Sequence, residues 1–516
     1  MGVSVTTSLL TAWHAAAVIL FLLIIRGAIL RKRRGPMPPG PVGWPIIGNA
    51  LDIPLNHSWK TFAKWGERWG DLMSVVLLGQ PMVIINSYKH AYELLEKRSA
   101  IYSDRPHMIM AGDIVGWDQI LVLLRYGNQF REYRRLMARV LGSRKSVEEF
   151  VPIIEEQTGK LLARLLREPA SDLPSQIRKM TGSIVLMISY GYEPQENDDP
   201  LIRMADEATE QAAEVAQPGA FFVDVFPFLK YVPSWMPGAG WKRKGERYRA
   251  NMDQMSAVPH QFVKDKMGAG TALPSFTSTM LAGNPAPDEE YRIKMSAASI
   301  YSGGADTTVS AELTFILAMS LWPAVQKKAQ EELDAAVGHD RLPTYADIVQ
   351  LPYLNAIYLE TLRWNQVVPL GVPHAILEDD VYEGYFIPKG SIVCINQWNI
   401  LHDPEIYADP FTFNPERFLP GHGKEPELDP RKVAFGFGRR ICPGIHLAES
   451  SVLMVAAMLL SVFNIKNPLN EHGIPITPQT AEHTGGTISH PAPFTCTIEP
   501  RSDKAKALIL ALQECS

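Results

Sequence analysis

The ten residues FGFGRRICPG, 435–444, hold one of four cysteines in a chain of 516 residues. Gly436, Gly438 and Gly444 invite comparison with a phosphate loop. The dinucleotide spacing, however, wants a third glycine where Ile441 stands, and the Gly-Lys-Ser/Thr of a Walker loop is absent. A cysteine nucleophile needs a base and an orienting group, neither of which the sequence identifies. A zinc site needs more Cys or His nearby, and only His446 is close. One chemistry uses every residue type present: a Cys442 thiolate as axial ligand of haem iron, pushing electron density toward oxygen. A helix that begins just after the cysteine aims amides at the sulfur and keeps it anionic. Pro443 has no N–H, so the expected donors are Gly444, Ile445 and His446. Arg440 offers a fork of donors to a propionate, Phe435 an apolar face to shield the sulfur, and the glycines a tight turn with positive φ.

With Phe435, Gly438, Arg440, Cys442 and Gly444 at fixed spacing, the segment fits F-x-x-G-x-R-x-C-x-G, the haem-binding signature of the cytochromes P450. The chain resembles that family from about Pro36 to Pro500. The resemblance assigns GGADTT, 303–308, to the oxygen-activation motif of a long central helix. Asp306 and Thr307 are then the acid–alcohol pair that relays protons, and Gly304 lets the helix loosen. Glu360 and Arg363 share a helix face at i, i+3. In the family this pair is buried and joined by Arg417 of PERF, 415–418. His374, at the end of VVPLGVPH, and Arg134, in YGNQFREYRRLMARV, become propionate partners beside Arg440. Phe130 stands where the family usually has Trp, which keeps the ring and loses the indole donor. Val367, Val368, Leu370 and Val372 are expected to face substrate. The loop after YSDRP, holding Met108, Ile109, Met110, Ile114 and Trp117, is expected to roof the pocket.

The elements that must position these groups are mostly helical. Ser146–Arg167 is amphipathic, Tyr291–Leu321 is a long helical pattern interrupted at SGGADTT, and a helix follows Trp322 with Pro323 in its first turn. LPYLNAIYLETLRW is another helix. YEGYFIPKGSIVCIN and PAPFTCTIEP read as strands. The expected fold is mainly α with small β-sheets, the cytochrome P450 fold with an N-terminal transmembrane anchor.

Composition agrees with a large globular core: 46% hydrophobic, 20% charged, net charge −5, with nothing to suggest a nucleic-acid partner. Four cysteines in so long a chain form no disulfide framework. Leu9–Ile25 carries no charge and RKRR, 31–34, follows it. About 20 apolar residues span a bilayer, and positive charge after the span keeps the body cytosolic. The expected organisation is an anchor over 1–30, a basic and Pro/Gly-rich tether over 31–50, and a haem-thiolate domain over 51–516. That organisation places the enzyme in the endoplasmic reticulum membrane, single-pass, with the catalytic domain cytosolic. The myristoylation pattern at Gly2 is then a chance match, and the glycosylation sequon at Asn56 never meets the glycosylation machinery.

The implied reaction is monooxygenation of a lipophilic small molecule by haem b, with Cys442 on iron and Phe435 and Gly444 beside it. No flavin or nicotinamide fingerprint is present. Electrons therefore come from NADPH–cytochrome P450 reductase, with cytochrome b5 as a second donor. Docking on the cysteine-loop side is steered by Arg431, Lys432 and Arg439. The segments FGFGRRICPGIHLAE and RWNQ resemble fungal secondary-metabolism members, with a terpenoid favoured as substrate. An indole, other aromatic or polyketide scaffold is the alternative. An O2-independent isomerase or dehydratase, and a non-enzymatic haem or lipid carrier, are further alternatives. The intact Asp306–Thr307 pair argues against both.

Overall fold

The computed structural model describes residues 35–516 except 169–171, 197, 217–219, 422, 424, 469–481 and 515–516. The apolar run, the basic cluster and Gly2 lie outside the described residues. Twelve helices of twelve or more residues carry the described fold: α1 Ser58–Trp69, α2 Asn128–Leu141, α3 Val151–Arg167, α4 Leu173–Tyr190, α5 Pro200–Val215, α6 Gly240–Gly268, α7 Pro287–Gly304, α8 Thr307–Leu321, α9 Pro323–Val337, α10 Pro352–Trp364, α11 Ile445–Val462 and α12 Asp503–Glu514. Three small sheets flank them. The largest has the order β1 (Leu72–Leu77), β2 (Gln80–Ile85), β6 (Ile392–Ile395), β3 (His374–Ala375). The hairpins β4 (Asp380–Tyr382) with β5 (Tyr385–Ile387), and β7 (Phe463–Lys466) with β8 (Thr497–Pro500), complete the set.

α8 and α11 form the centre. From Val309 to Ser320 every residue of α8 is buried, and α11 is apolar on nearly all faces. A helix apolar all round belongs in a core or a membrane. α11 is long and apolar enough to cross a bilayer, but 78% of its apolar window is buried inside the fold, so its hydropathy is that of a core helix. α7 enters beside it, with Asp288, Glu289 and Glu290 favourably placed in its first turn. The two helices break at Ala305–Asp306, inside the interruption expected at SGGADTT. α4 packs along both halves.

The sheet fixes His374. β3 pairs antiparallel to β6, His374 opposite Val393, and β6 runs parallel to β2. The strands expected near residue 390 and residue 496 are β5, β6 and β8. Two expectations change. The amphipathic run from Ser146 is two helices, because Pro152 lacks an amide to continue one and instead starts α3 after a short turn of helix, Arg144–Glu148. The Pro/Gly-rich stretch is non-helical as expected, yet from Pro36 on it is docked rather than free. Ser74 donates its amide to Pro39 O at 2.8 Å and its hydroxyl to Pro38 O at 2.5 Å, and Phe386 N–H bonds to Pro36 O at 2.8 Å. A Cβ on Gly40 would lie 1.8 Å from Ser74 O, so only glycine allows this approach to β1.

Candidate active site: a half-buried cysteine below an apolar cavity

Residues 435–444 close a tight loop. The Cys442 amide donates to Phe435 O at 2.8 Å, and Gly436 and Gly438 take φ of 77° and 53°. At Gly438 a Cβ would stand 2.3 Å from Leu95 O, so both conformation and space demand glycine. Gly444 caps α11 and its amide points at Cys442 Sγ, as expected; no such bond forms from Ile445 or His446. Burial pushes the Cys442 thiol above its ordinary value, while the Gly444 amide and the Arg134 guanidinium work the other way.

Above the sulfur lies a cavity of about 840 Å³. Cys442, Phe435, Gly436 and Gly444 form part of its wall, the α7–α8 junction from Gly303 to Thr308 another. Trp117, Ile120, Val185, Ile300, Val367 and Ile488 add apolar surface. Gly303 faces open space, whereas a Cβ on Gly304 would sit 3.0 Å from Val185 Cγ2. The close approach of α4 thus gives a packing reason for glycine at Gly304, which also directly precedes the break at Ala305–Asp306. Of the expected substrate-facing residues, Val367, Val368 and Val372 line the cavity, and Leu370 packs instead on the sheet cluster around Phe62 and Met73. In the roof loop Trp117 lines the cavity, while Met110 and Ile114 pack against Gly245 of α6.

Three arginines and a histidine crowd one side of the cavity. Arg440 is buried and donates only to backbone carbonyls: Ser103 O at 2.7 Å, Leu124 O at 2.8 Å and Leu121 O at 3.4 Å. Burial lowers its pKa to about 10, against the opposing pull of Asp104 and Tyr126. Its guanidinium lies 3.9 Å over the Phe130 ring, so the aromatic replacement keeps a cation–π platform where the indole donor is lost. Arg134 donates to Ile441 O at 2.7 Å, next to the cysteine. His374 Nδ1 lies 2.7 Å from Tyr102 O. Burial, then the Arg105 and Arg440 charges, hold its pKa well below the ordinary value, so the ring is neutral. Arg105 belongs to this group and was not singled out from the sequence, although YSDRP contains it. It bonds to Val122 O (2.8 Å), Val372 O (2.7 Å) and Pro373 O (2.8 Å). Burial and the nearby Arg440 push its pKa well down. The adjacent carboxylate, Asp104, is committed to Arg125 at 2.6 Å. Buried guanidiniums facing a cavity without a carboxylate partner suit an anionic occupant. A flat group with acid substituents at one edge and a metal over the sulfur fits this donor set.

At the junction, Thr307 donates its hydroxyl to Gly303 O at 2.7 Å, the helix-internal bond that Thr readily makes. Asp306 reaches Arg178 of α4 at 2.7 Å and His490 at 3.1 Å. Burial works to raise the Asp306 pKa, but His490 and Arg178 together hold it below the usual carboxylate value. Neither partner was visible in the sequence.

Behind the loop, Glu360 and Arg363 are fully buried and bidentate, at 2.7 and 2.8 Å. Arg417 lies 3.2 Å from Glu360 and 2.7 Å from Glu427, and the Asn414 amide donates to Glu360 at 2.7 Å. The triad is the structural support that was expected, with Glu427 an additional member. On the outer face, Lys432 and Arg439 are exposed, but Arg431 is held by Asp429 and Glu449, both at 2.7 Å, so its charge is neutralised there.

Loop, cavity and triad define a haem-thiolate oxygenase, and the chain belongs to the cytochrome P450 family, whose model matches residues 38–495. It is a haem-dependent monooxygenase of fungal type. Cytochrome P450 monooxygenase 208 of Postia placenta is 51% identical over 500 residues, covering 97% of each chain. Cytochrome P450 monooxygenase claR of Ampulloclitocybe clavipes is 42% identical over 506 residues, 98% of this chain and 93% of that one. Tryptamine 4-monooxygenase of Psilocybe cyanescens is 42% identical over 503 residues, 94% of this chain and 98% of that one.

Proposed function

We propose that this enzyme hydroxylates a lipophilic small molecule of fungal secondary metabolism, with a terpenoid the favoured scaffold. The observation that carries the reading is Cys442 beneath a large cavity walled mainly by apolar side chains and flanked by arginines that bond only to carbonyls, without a carboxylate. An indolic or aromatic amine is the second reading. The relative named as a tryptamine 4-monooxygenase favours it.

In this reading Cys442 would hold the iron of haem b and Gly444 would donate to its sulfur. Arg440, Arg105 and Arg134 would hold the propionates, with His374 beside them joining only when its second ring nitrogen carries a proton, and Phe435 would shield the thiolate. When bound, haem supplies dioxygen activation, with the overall balance R–H + O2 + 2 e⁻ + 2 H⁺ → R–OH + H2O. Thr307 and Asp306 move protons into the cavity. The apolar walls exclude bulk water and orient the substrate.

Electrons come from NADPH–cytochrome P450 reductase, with cytochrome b5 as a second donor. Arg131 and Arg439 both stack on Tyr126, at 5.7 and 5.4 Å, and with Lys432 offer a basic surface on the cysteine side. The proposed organisation keeps an anchor over 1–30, a tether over 31–50 and the catalytic body beyond, in the endoplasmic reticulum membrane. The exposed Phe222, Phe228, Tyr231 and Trp235 form a local aromatic surface suited to a membrane interface. The test is the ferrous–CO spectrum of microsomes and substrate-dependent, NADPH-dependent oxygen uptake. Cys442→Ser should keep the fold and abolish both. Thr307→Ala should release peroxide in place of product, and normal product yield from it would remove the relay role.

A further inference from the structure

The Asp306 carboxylate is claimed at both oxygens. Arg178 donates to Oδ1 at 2.7 Å, and His490 Nε2 lies 3.1 Å from Oδ2. The position of His490 is built in. Its segment is stapled to α8 by the Ser310 hydroxyl, which donates to Ser489 O at 2.5 Å, and to the loop after α10 by the Ser489 amide, which donates to Val367 O at 2.9 Å. The His490 amide and carbonyl are both tied to Thr484, at 3.0 and 2.7 Å. The His490 side chain is 21% exposed and the Asp306 side chain 15%, and both line the cavity.

We propose that His490 is the proton donor that loads Asp306, passing its Nε2 proton to Oδ2 and recovering one from solvent. An arginine does not give up its proton in a protein, so of the two partners only the histidine has one to deliver. Asp306 is held ionised, so within the pair it is the member that receives a proton. The step balances: imidazolium and carboxylate become imidazole and carboxylic acid. The acid yields its proton to the cavity beside Thr307, and the ring takes one from water. The charged groups around the pair are Arg178 on α4 and Asp206 on α5. Arg178 lies 3.6 Å from Asp206, and burial and Asp306 together raise the Asp206 pKa against the pull of Arg178. Arg178 is thus a fixed counter-charge that positions Asp306, and His490 is the partner able to exchange a proton with it. This rests on the haem-monooxygenase reading and on Asp306 and Thr307 as the relay.

The test uses the full-length enzyme with reductase and NADPH, without substrate. Reduction of dioxygen by one electron gives superoxide and needs no proton, whereas O2 + 2 e⁻ + 2 H⁺ gives hydrogen peroxide. In His490→Gln, whose amide can still donate to Asp306 but cannot titrate, the ratio of spin-trapped superoxide to peroxide should rise about tenfold at pH 7. The ratio should also become flat between about pH 6 and 8, where an imidazole ordinarily titrates and where the wild-type ratio should climb. A second arm needs no turnover. Asp306→Asn should speed carbethoxylation of His490, followed by peptide mass spectrometry at pH 6.5, about threefold by removing the charge that holds its proton. A wild-type product ratio and pH profile in His490→Gln, or a labelling rate indifferent to Asp306→Asn, overturns the proposal. A wild-type enzyme without the thiolate ferrous–CO band would instead overturn the haem reading, so the two failures are distinct.

Discussion

Glu312 lies five residues beyond Thr307 on α8 and is fully buried. Its Oε2 accepts from the Thr181 hydroxyl at 2.8 Å, and its Oε1 has no partner. Burial raises its pKa from 4.5 to about 8, with only the Thr181 bond opposing and no charged neighbour. A carboxyl whose folded pKa exceeds its unfolded one favours the fold while protonated. The fold loses stability as pH rises above the unfolded value, until the folded value is passed. At about 1.4 kcal/mol per unit, the loss is near 1 kcal/mol at pH 5, about 3 at pH 7 and about 5 above pH 8. Glu312→Gln removes this slope. The amide adds a constant offset, because its N–H groups meet the same unpartnered space at every pH. The difference in Tm between variant and wild type should therefore grow by about 4 °C from pH 5 to pH 8 and then level off, taking roughly 1 °C per kcal/mol for a chain this long. Parallel scanning-calorimetry curves over that range would refute the reasoning, since they would mean that Glu312 ionises without penalty.

Glu360→Gln strands two buried guanidiniums, Arg363 and Arg417, and should cost about 3–5 kcal/mol, read as a fall in thermal midpoint and in haem-containing yield. Gly438→Ala forces a Cβ onto Leu95 O, 2.3 Å away, at φ 53°. It should erase the thiolate ferrous–CO band while far-ultraviolet circular dichroism stays native. Phe130→Leu removes the ring 3.9 Å beneath Arg440. With about 1–2 kcal/mol lost from a desolvated cation–π contact, haem transfer to apomyoglobin should quicken about tenfold.

What could be read in advance follows from how far apart the interacting residues lie in the chain. The cysteine loop was legible because its chemistry is packed into ten residues: the turn, the amide donor and the sulfur are neighbours. Glu360 and Arg363 were legible for the same reason, one helical turn apart. His490 and Arg178 were not, because they reach Asp306 across 184 and 128 residues. Arg105 was visible as a letter but not as a cavity cation. Nothing local distinguishes an arginine bonded to carbonyls 17 and 267 residues away from one on the surface. Gly304 was half legible. Its motif suggested a helix loosened for chemistry, and the helix does break beside it, but the contact with Val185 of α4, 119 residues away, could not be read locally.

The two least favourable features of the site explain each other. Arg105, Arg440 and Arg134 all have pKa values lowered by burial, which means that the surroundings resist their charge. Cys442 has its thiol raised by burial, which means that the surroundings resist the thiolate. Packing alone would select against both, since a buried ion without a partner is among the more costly things a core can hold. A single occupant with carboxylates at one edge and a metal at its centre satisfies the cations and takes up the sulfur. Groups that are costly to bury alone would be stabilised by such an occupant, and its binding would become part of the folding free energy. The charge placement fits such a cofactor: the arginines would offset acid groups at its edge, while neutral His374, its Nδ1–H given to Tyr102 O, would add no charge.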